Sequence, residues 1–306
     1  MPGNFPIPIL IAGPTASGKS ALALDIAREV GGVIVNADSM QVYRDLRVLT
    51  ARPTAEEERL APHRLFGHVD AAENYSVGRY VTDAARALGE VPPGATAIFV
   101  GGTGLYYKSL MTGLAAIPPI DPAIRAHLRE RIDAEGVEVL HAELAHRDPE
   151  AATRIMPRDR SRILRALEVL QATGRRIADW HRDGLPPVFE SASALKIFLH
   201  PERGELTRRI ERRFQTMLGQ GALEEVRALD ARRLPDTLPA MKAHGVPWLR
   251  QHLRGEITLE QAAEGAVMDT RRYAKRQVTW FRNQMPGWTW TTPGDAAAVI
   301  RPALKK

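Results

Sequence analysis

Gly13, Pro14, Thr15, Ala16, Ser17, Gly18, Lys19 and Ser20 spell a Gly-x-x-x-x-Gly-Lys-Ser pattern, entered from the apolar run IPILIA and left through SALALDIAREV. No other stretch constrains the chain so tightly. The run before it has strand composition, the run after it has helical spacing, and Gly31-Gly32 stops the helix. A glycine loop between a strand and a helix turns backbone N–H groups toward an anion, and the helix adds its positive N-terminus. In this pattern Lys19 reaches phosphate oxygens and the Ser20 hydroxyl helps to hold Mg²⁺. Thr15 and Ala16 occupy free positions of the pattern, so the Thr15 hydroxyl either meets phosphate or caps the turn.

Further apolar runs follow: VIVNA ending at Asp38, ATAIFV ending at Gly101-Gly102-Thr103-Gly104, and ALKIFLH at 194–200. Strands of this kind alternating with helical stretches predict an α/β fold, a parallel sheet of the P-loop NTPase kind. Ligands of such sheets gather at the carboxyl ends of the strands. The Gly13–Ser20 loop, Asp38 and the Gly101–Gly104 turn are therefore expected in one cleft. Between the proline-bearing stretches AIPPIDP and GLPPVFE lies a charged segment of helical character. It reads as an inserted all-helical subdomain over 119–189, between a first core part at 1–118 and a helical, basic completion at 190–306 that ends in a polar tail.

The chain has 306 residues, no cysteine and a net charge of +6. Absent cysteine excludes disulfides, thiolate metal sites and cysteine nucleophiles, and it suits a reducing cytoplasm. MPGNFPIPILIAGP lacks the basic start and long apolar stretch of a signal peptide. No uncharged apolar segment reaches the roughly 20 residues a membrane span requires. Residues 196–306 hold 20 Lys and Arg against 12 Asp and Glu, while the first 195 hold 22 against 24. A basic final third on a near-neutral body points to a polyanionic partner; the alternative is a solvated basic surface.

Most chains with such a loop use ATP or GTP, and a kinase or NTPase with a basic end for an acidic partner is one reading. Two absences stand against it. IFV runs straight into Gly-Gly-Thr, so that strand ends in no magnesium-holding acid, and no Asn-Lys-x-Asp guanine reader is present. Asp38 does end a strand and reads either as a metal holder or as a general base.

Taken with the loop, NADSMQVYRDLRVLTARP, PHRLFGHVDAAENYSVGRY, GGTGLYYKSLMTGL, RILRALEVLQATG and TRRYAKRQVTWFRNQ occur in an order that resembles the bacterial tRNA dimethylallyltransferases, or isopentenyltransferases. The resemblance runs from Gly13 to about Arg282. It implies that the loop binds the diphosphate of dimethylallyl diphosphate rather than a nucleotide. The implied acceptor is N6 of adenosine 37, beside the anticodon of tRNAs that read codons starting with U. N6-dimethylallyladenosine and diphosphate would be the products, with Mg²⁺ required and a monomer sufficient. The chain contains no Asp-Asp pair of the sort that prenyl-chain synthases use to hold diphosphate through several metals.

The resemblance also assigns roles. Asp38, in Asp38-Ser39-Met40-Gln41, is the implied general base, and a positioned base is worth roughly 10²–10⁴-fold. Thr103 is implied near the reacting groups. Arg213, in Arg209-Ile210-Glu211-Arg212-Arg213, is implied to stabilise charge on the leaving diphosphate; Arg212 points about 100° away on a helix. Implied tRNA contacts are Asp38, Ser39, Met40, Gln41, Thr103, Arg125, Ser161, Arg162, Ile163, Leu164, Arg165, Lys242, His244, Gly245, Lys275, Arg276, Gln277, Trp280 and Arg282. Tyr273, Trp280 and Phe281 read either as stacking platforms or as core. Where the family carries a Gly-Tyr turn, this chain has Gly245-Val246-Pro247. The target adenine has to leave the anticodon stack to reach Asp38, so a channel between core and insertion is expected.

Overall fold

The computed structural model describes residues 7–304. Six strands, β1 (Ile9–Ala12), β2 (Val33–Asn36), β3 (His63–Arg64), β4 (Ala97–Gly101), β5 (Leu195–Leu199) and β6 (Thr289–Thr291), form one sheet in the order β3-β2-β4-β1-β5-β6. Every pairing in it is parallel. β1, β2 and β4 are buried at every residue, as a sheet covered on both faces requires. Alternate side chains feed two separate cores. Leu10, Val33, Val35, Phe99 and Phe198 pack on one face, while Ile9, Ile11, Ile34, Ile98 and Ile197 pack on the other.

The helices of this unit are α1 (Lys19–Val30), α2 (Ala55–Leu60), α3 (Val77–Gly89) and α4 (Gly104–Thr112), whose last residue begins the next unit. After an intervening set come α10 (Arg203–Gly219), α11 (Ala222–Ala231), α12 (Val246–Leu253), α13 (Leu259–Gln284) and α14 (Ala296–Leu304). α13 begins at a reciprocal capping box in which Thr258 and Gln261 each bond the other's backbone N–H. The residues expected to form a polar tail instead make β6 and α14. β6 exists through pairing with β5, and its Trp290 lies 4.2 Å, ring to ring, from Phe198. α14 buries Ala296 and Ile300 in the same core as Leu22 and Ile26 of α1.

A second compact unit comprises residues 112–187, and the other unit comprises 1–111 and 188–306. The 119–189 segment marked by the prolines is offset from these limits because the entering and leaving chains pair with each other. Leu185 N–H donates to the Leu114 carbonyl at 2.7 Å. Gly113, at φ 77°, lets that contact form, since a Cβ there would lie 1.9 Å from the Leu185 carbonyl oxygen. Among the described residues this unit holds α5 (Pro122–Glu135), α6 (Val137–Arg147), α7 (Pro149–Arg154), α8 (Arg160–Thr173) and α9 (Ile177–Arg182). Asp121, Asp148 and Asp159 cap three of them, and Pro122 and Pro149 follow as first helical residues. Leu128, Ile132, Leu140, Leu144, Ile163 and Leu167 form its own core.

Candidate active site

The Gly13–Ser20 loop leaves β1 and ends on α1. Ala16 and Gly18 take left-handed conformations, at φ 62° and 90°. Gly13 has no room for a side chain: a Cβ would lie 2.7 Å from Ser17 Oγ. Ser17 Oγ is buried with no partner among the described residues, a polar atom waiting for an acceptor such as phosphate. Lys19 is buried and donates from Nζ to the Pro14 carbonyl at 3.3 Å. Burial pulls its ammonium down to about 8; Asp38 opposes that shift and Arg213 adds to it. Ser20 is exposed on the first turn of α1.

Asp38 stands on a turn fixed from three sides. Buried Asn36 accepts from the Asp38 amide at 2.8 Å and donates to the Asp38 carbonyl at 2.9 Å. Asp38 Oδ1 accepts the Met40 N–H at 3.0 Å, while Oδ2 has no partner among the described residues. Thr103 completes the frame: its N–H donates to the Ala37 carbonyl, and its Oγ1 accepts the Ser39 N–H at 2.9 Å and donates to Ser39 Oγ. Gly101 lies so close to this turn that a Cβ would meet the Ala37 backbone at 2.1 Å. The expected convergence of the loop, Asp38 and the second glycine turn is therefore present.

One cavity takes its polar lining from Thr15, Asp38 and Arg213 and an apolar wall from Leu49, Ile210, Phe214 and Met217. Half-buried Arg213 on α10 donates to the Thr50 carbonyl at 3.4 Å, while neighbouring Arg212 is exposed, as helical geometry requires. Burial lowers the affinity of Arg213 for its proton and Asp38 restores part of it. The wall segment is tied from behind, because the Glu225 carboxylate accepts the N–H groups of Arg47, Val48 and Leu49. His244 and Tyr273 also line the cavity, with ring centres 4.5 Å apart. Burial pushes the His244 imidazole below its usual range, with Arg276 acting in the same direction.

Several residues implied as RNA contacts face inward instead. Gln41 is buried and its amide donates to the Thr50 and Ala51 carbonyls, both at 2.9 Å. Ile163 and Leu164 belong to the helical unit's core, so of that run only Ser161, Arg162 and Arg165 reach solvent. Gly245, at φ 95°, is buried against Leu49 and Phe214. Gln277 is 5% exposed, with its Oε1 accepting the Thr15 N–H and its Nε2 donating to the Gly102 carbonyl. Trp280 packs on Gly104, where a Cβ would come within 2.1 Å of its ring, and Phe281 is core. Arg125 is held in an ion pair with Glu168 at 3.1 Å. Lys242, Lys275, Arg276 and Arg282 are exposed, Arg276 over the Tyr273 ring and Arg282 over the Trp290 ring. Sequence reasoning missed Ser17 as an orphaned hydroxyl and Gln277 as a link between loops; neither has a spacing signature.

A family model described as IPP transferase matches residues 41–284, and one described as isopentenyl transferase matches 7–66. The chain belongs to the IPP transferase family. Together the two matches take in both glycine turns, Asp38, Arg213 and all of α13. The tRNA dimethylallyltransferase of Nitrobacter hamburgensis is 60% identical over 293 residues, covering 95% of this chain and 92% of the relative. That of Rhodopseudomonas palustris is 57% identical over 303 residues, covering 99% and 94%. Among solved structures, the full-length tRNA isopentenylpyrophosphate transferase of Bacillus halodurans superposes with a TM-score of 0.69 at 32% identity, covering 97% of this chain and 96% of that one. A eukaryotic dimethylallyltransferase acting on tRNA gives a TM-score of 0.76 at 26% identity, covering 96% and 77%. This IPP transferase has the P-loop-like α/β fold of those neighbours, and among its described residues no helix is long and apolar enough to cross a membrane.

Proposed function

We propose that the chain transfers a dimethylallyl group from dimethylallyl diphosphate to N6 of adenosine 37 in tRNAs that read codons starting with U. One observation carries the reading: an open carboxylate oxygen of Asp38 shares a cavity with cationic Arg213, the loop residue Thr15 and an apolar wall. Cations and phosphate donors alone would also suit a nucleotide kinase; the apolar wall of Leu49, Ile210, Phe214 and Met217 beside an open carboxylate is what a prenyl tail and an amine acceptor call for. An allylic diphosphate needs both the cations and the wall.

The diphosphate lies in the Gly13–Ser20 loop, with Lys19 and Arg213 as its cations and the Ser17 hydroxyl as a further donor. The five-carbon tail lies against the apolar wall. As the allylic C1–O bond breaks, its electron pair goes to the diphosphate, where the Arg213 fork stabilises the growing charge. The N6 lone pair forms the new N–C1 bond, and the proton N6 sheds passes to Asp38 Oδ2. Thr103 and Asn36 hold the carboxylate turn for that transfer. The amine is a weak nucleophile because its pair is delocalised into the purine, which is why a base is required.

Among the described residues no three His, Asp or Glu side chains gather into a metal-ligating group. Exposed Ser20, on the first turn of α1, would supply one oxygen to Mg²⁺, an ion that needs few protein ligands at a phosphate site. The site therefore fits Mg²⁺, which would supply charge neutralisation on the diphosphate. The exposed cations Lys242, Lys275, Arg276 and Arg282, with Ser161, Arg162 and Arg165 of the helical unit, are the proposed tRNA contacts, acting mainly on phosphates.

Incubation with radiolabelled dimethylallyl diphosphate, Mg²⁺ and tRNA lacking the modification tests the reading. Label enters RNA with the wild-type chain. With Asp38→Asn, which keeps an acceptor for Met40 N–H, turnover falls by roughly 10²–10⁴-fold while the donor KM changes little. ATP hydrolysis without RNA labelling would put the kinase reading in its place.

A further inference from the structure

We infer that Gln277 is a positioning residue: by tying the phosphate loop to the second glycine turn, it sets the separation between the leaving group and the Asp38 base. The inference rests on the function proposed above and concerns a buried side chain that bonds the loop without itself lining the cavity.

Gln277 lies on α13, 262 residues from one of its partners and 175 from the other. Its Oε1 accepts the Thr15 N–H at 3.1 Å and its Nε2 donates to the Gly102 carbonyl at 2.9 Å. A backbone N–H demands an acceptor and a carbonyl demands a donor, so only one orientation of the amide satisfies both. The Thr15 N–H has no other partner among the described residues. One residue beyond Gly102, Thr103 bonds the Ala37 carbonyl and the Ser39 amide. Thr15, Gln277, Gly102, Thr103 and Ser39 thus form an unbroken bonded path from the phosphate cradle to the Asp38 turn.

The contact is close as well as polar. A Cβ on Gly102 would lie 2.0 Å from Gln277 Nε2, so the amide presses on bare backbone. The loop it anchors carries two left-handed residues, Ala16 and Gly18, and has little regular structure of its own to hold it. No other side-chain type reproduces the link. Glu has the reach and the acceptor but no donor, Met has the reach and neither, and Asn is one methylene short.

A displacement of about 1 Å between reacting groups costs roughly 10²-fold in rate. In the full-length chain, Gln277→Met is therefore expected to lower single-turnover transfer of label from dimethylallyl diphosphate to unmodified tRNA by about 10²-fold, with the donor KM within about threefold. Amide hydrogen exchange at Thr15 should speed up in the same variant, a readout independent of activity. Gln277→Glu keeps the acceptor but repels the Gly102 carbonyl, so it should slow transfer while leaving Thr15 largely protected. Because Thr103→Val breaks the same path, its loss should not multiply with that of Gln277→Met. The inference is overturned if Gln277→Met transfers within about threefold of wild type per folded molecule. Full multiplication of the two losses, or Thr15 exchange unchanged in Gln277→Met, also overturns it. A wild-type chain that transfers no label sinks both the function and the inference, whereas an active wild type with an active Gln277→Met sinks the inference alone.

Discussion

The carbonyl of Thr50 receives two donors, Arg213 Nη2 at 3.4 Å and Gln41 Nε2 at 2.9 Å, so the α10 arginine and the wall of the cavity share one anchor. Arg213 is thereby aimed without being consumed. Its long bond to Thr50 uses one of five N–H groups, leaving the rest of the fork for the proposed diphosphate.

Arg213→Ala should lower the single-turnover rate by about 10²-fold or more, because charge on the departing diphosphate loses a preorganised donor. Arg213→Lys should restore little, since an ammonium cannot anchor to Thr50 and fork onto phosphate together. Rates at saturating donor separate the cases; full recovery with Lys would mean that a point charge is enough.

Lys19 gives the donor KM a pH dependence. Its ammonium is held down to about 8 in the free protein. Below that value it is charged and grips diphosphate; above it the charge is lost, so the donor KM should rise between pH 7.5 and 9.5, both values being rough limits around that midpoint. Lys19→Arg should abolish the rise. Stability of the ligand-free protein should move the other way. Its folded-state affinity for protons is below the unfolded value, so unfolding takes up protons between about 8 and 10.5 and stability increases with pH in that window. Melting curves across that window check the sign.

Gly101→Ala should destabilise the chain by about 1–3 kcal/mol, since the new methyl meets unyielding Ala37 and Asp38 backbone rather than a movable side chain. Gly89→Ala, at the end of α3 with nothing within 4 Å, serves as its control and should be neutral or stabilising by a few tenths to about 1 kcal/mol. Denaturant midpoints compare the two directly.

Two arginines implied to touch RNA should behave differently. Arg282→Ala removes an exposed cation and should reduce the salt slope of tRNA binding by about 0.7–0.9. Arg125 instead pairs with Glu168, whose side chain is 7% exposed. Its loss leaves that carboxylate to Arg165 alone at 3.5 Å and should cost about 1–3 kcal/mol in stability. Adding Glu168→Gln should recover the melting temperature of the Arg125 variant but not any tRNA affinity.

The buried strands were legible because β1, β2, β4 and β5 are apolar runs bounded by glycine, asparagine or histidine. β3 and β6 were not. His63–Arg64 and Thr289–Thr291 have no pattern of their own and become strands only through a neighbour's register. Lys19, Asp38 and Arg213 were legible because motif position fixes where each stands. The SRILR run misled for a geometric reason: in α8 successive residues face different ways, so Ile163 and Leu164 turn into the core while Ser161, Arg162 and Arg165 do not. Gln277 was implied as a tRNA contact by the family resemblance alone, and its role as a link was hidden because a single buried amide leaves no trace in composition or period. Its partners are distant loops that only the fold brings near.

The Glu225 carboxylate gathers three consecutive amides, those of Arg47, Val48 and Leu49, into one grip. Shortening it to aspartate would free all three together, so the segment that brings Leu49 to the cavity would be loosened as a block rather than by degrees. A residue on α11, outside the cavity lining, thus holds a veto over the cavity's shape, and drift at that position should be tolerated no better than drift in the lining itself.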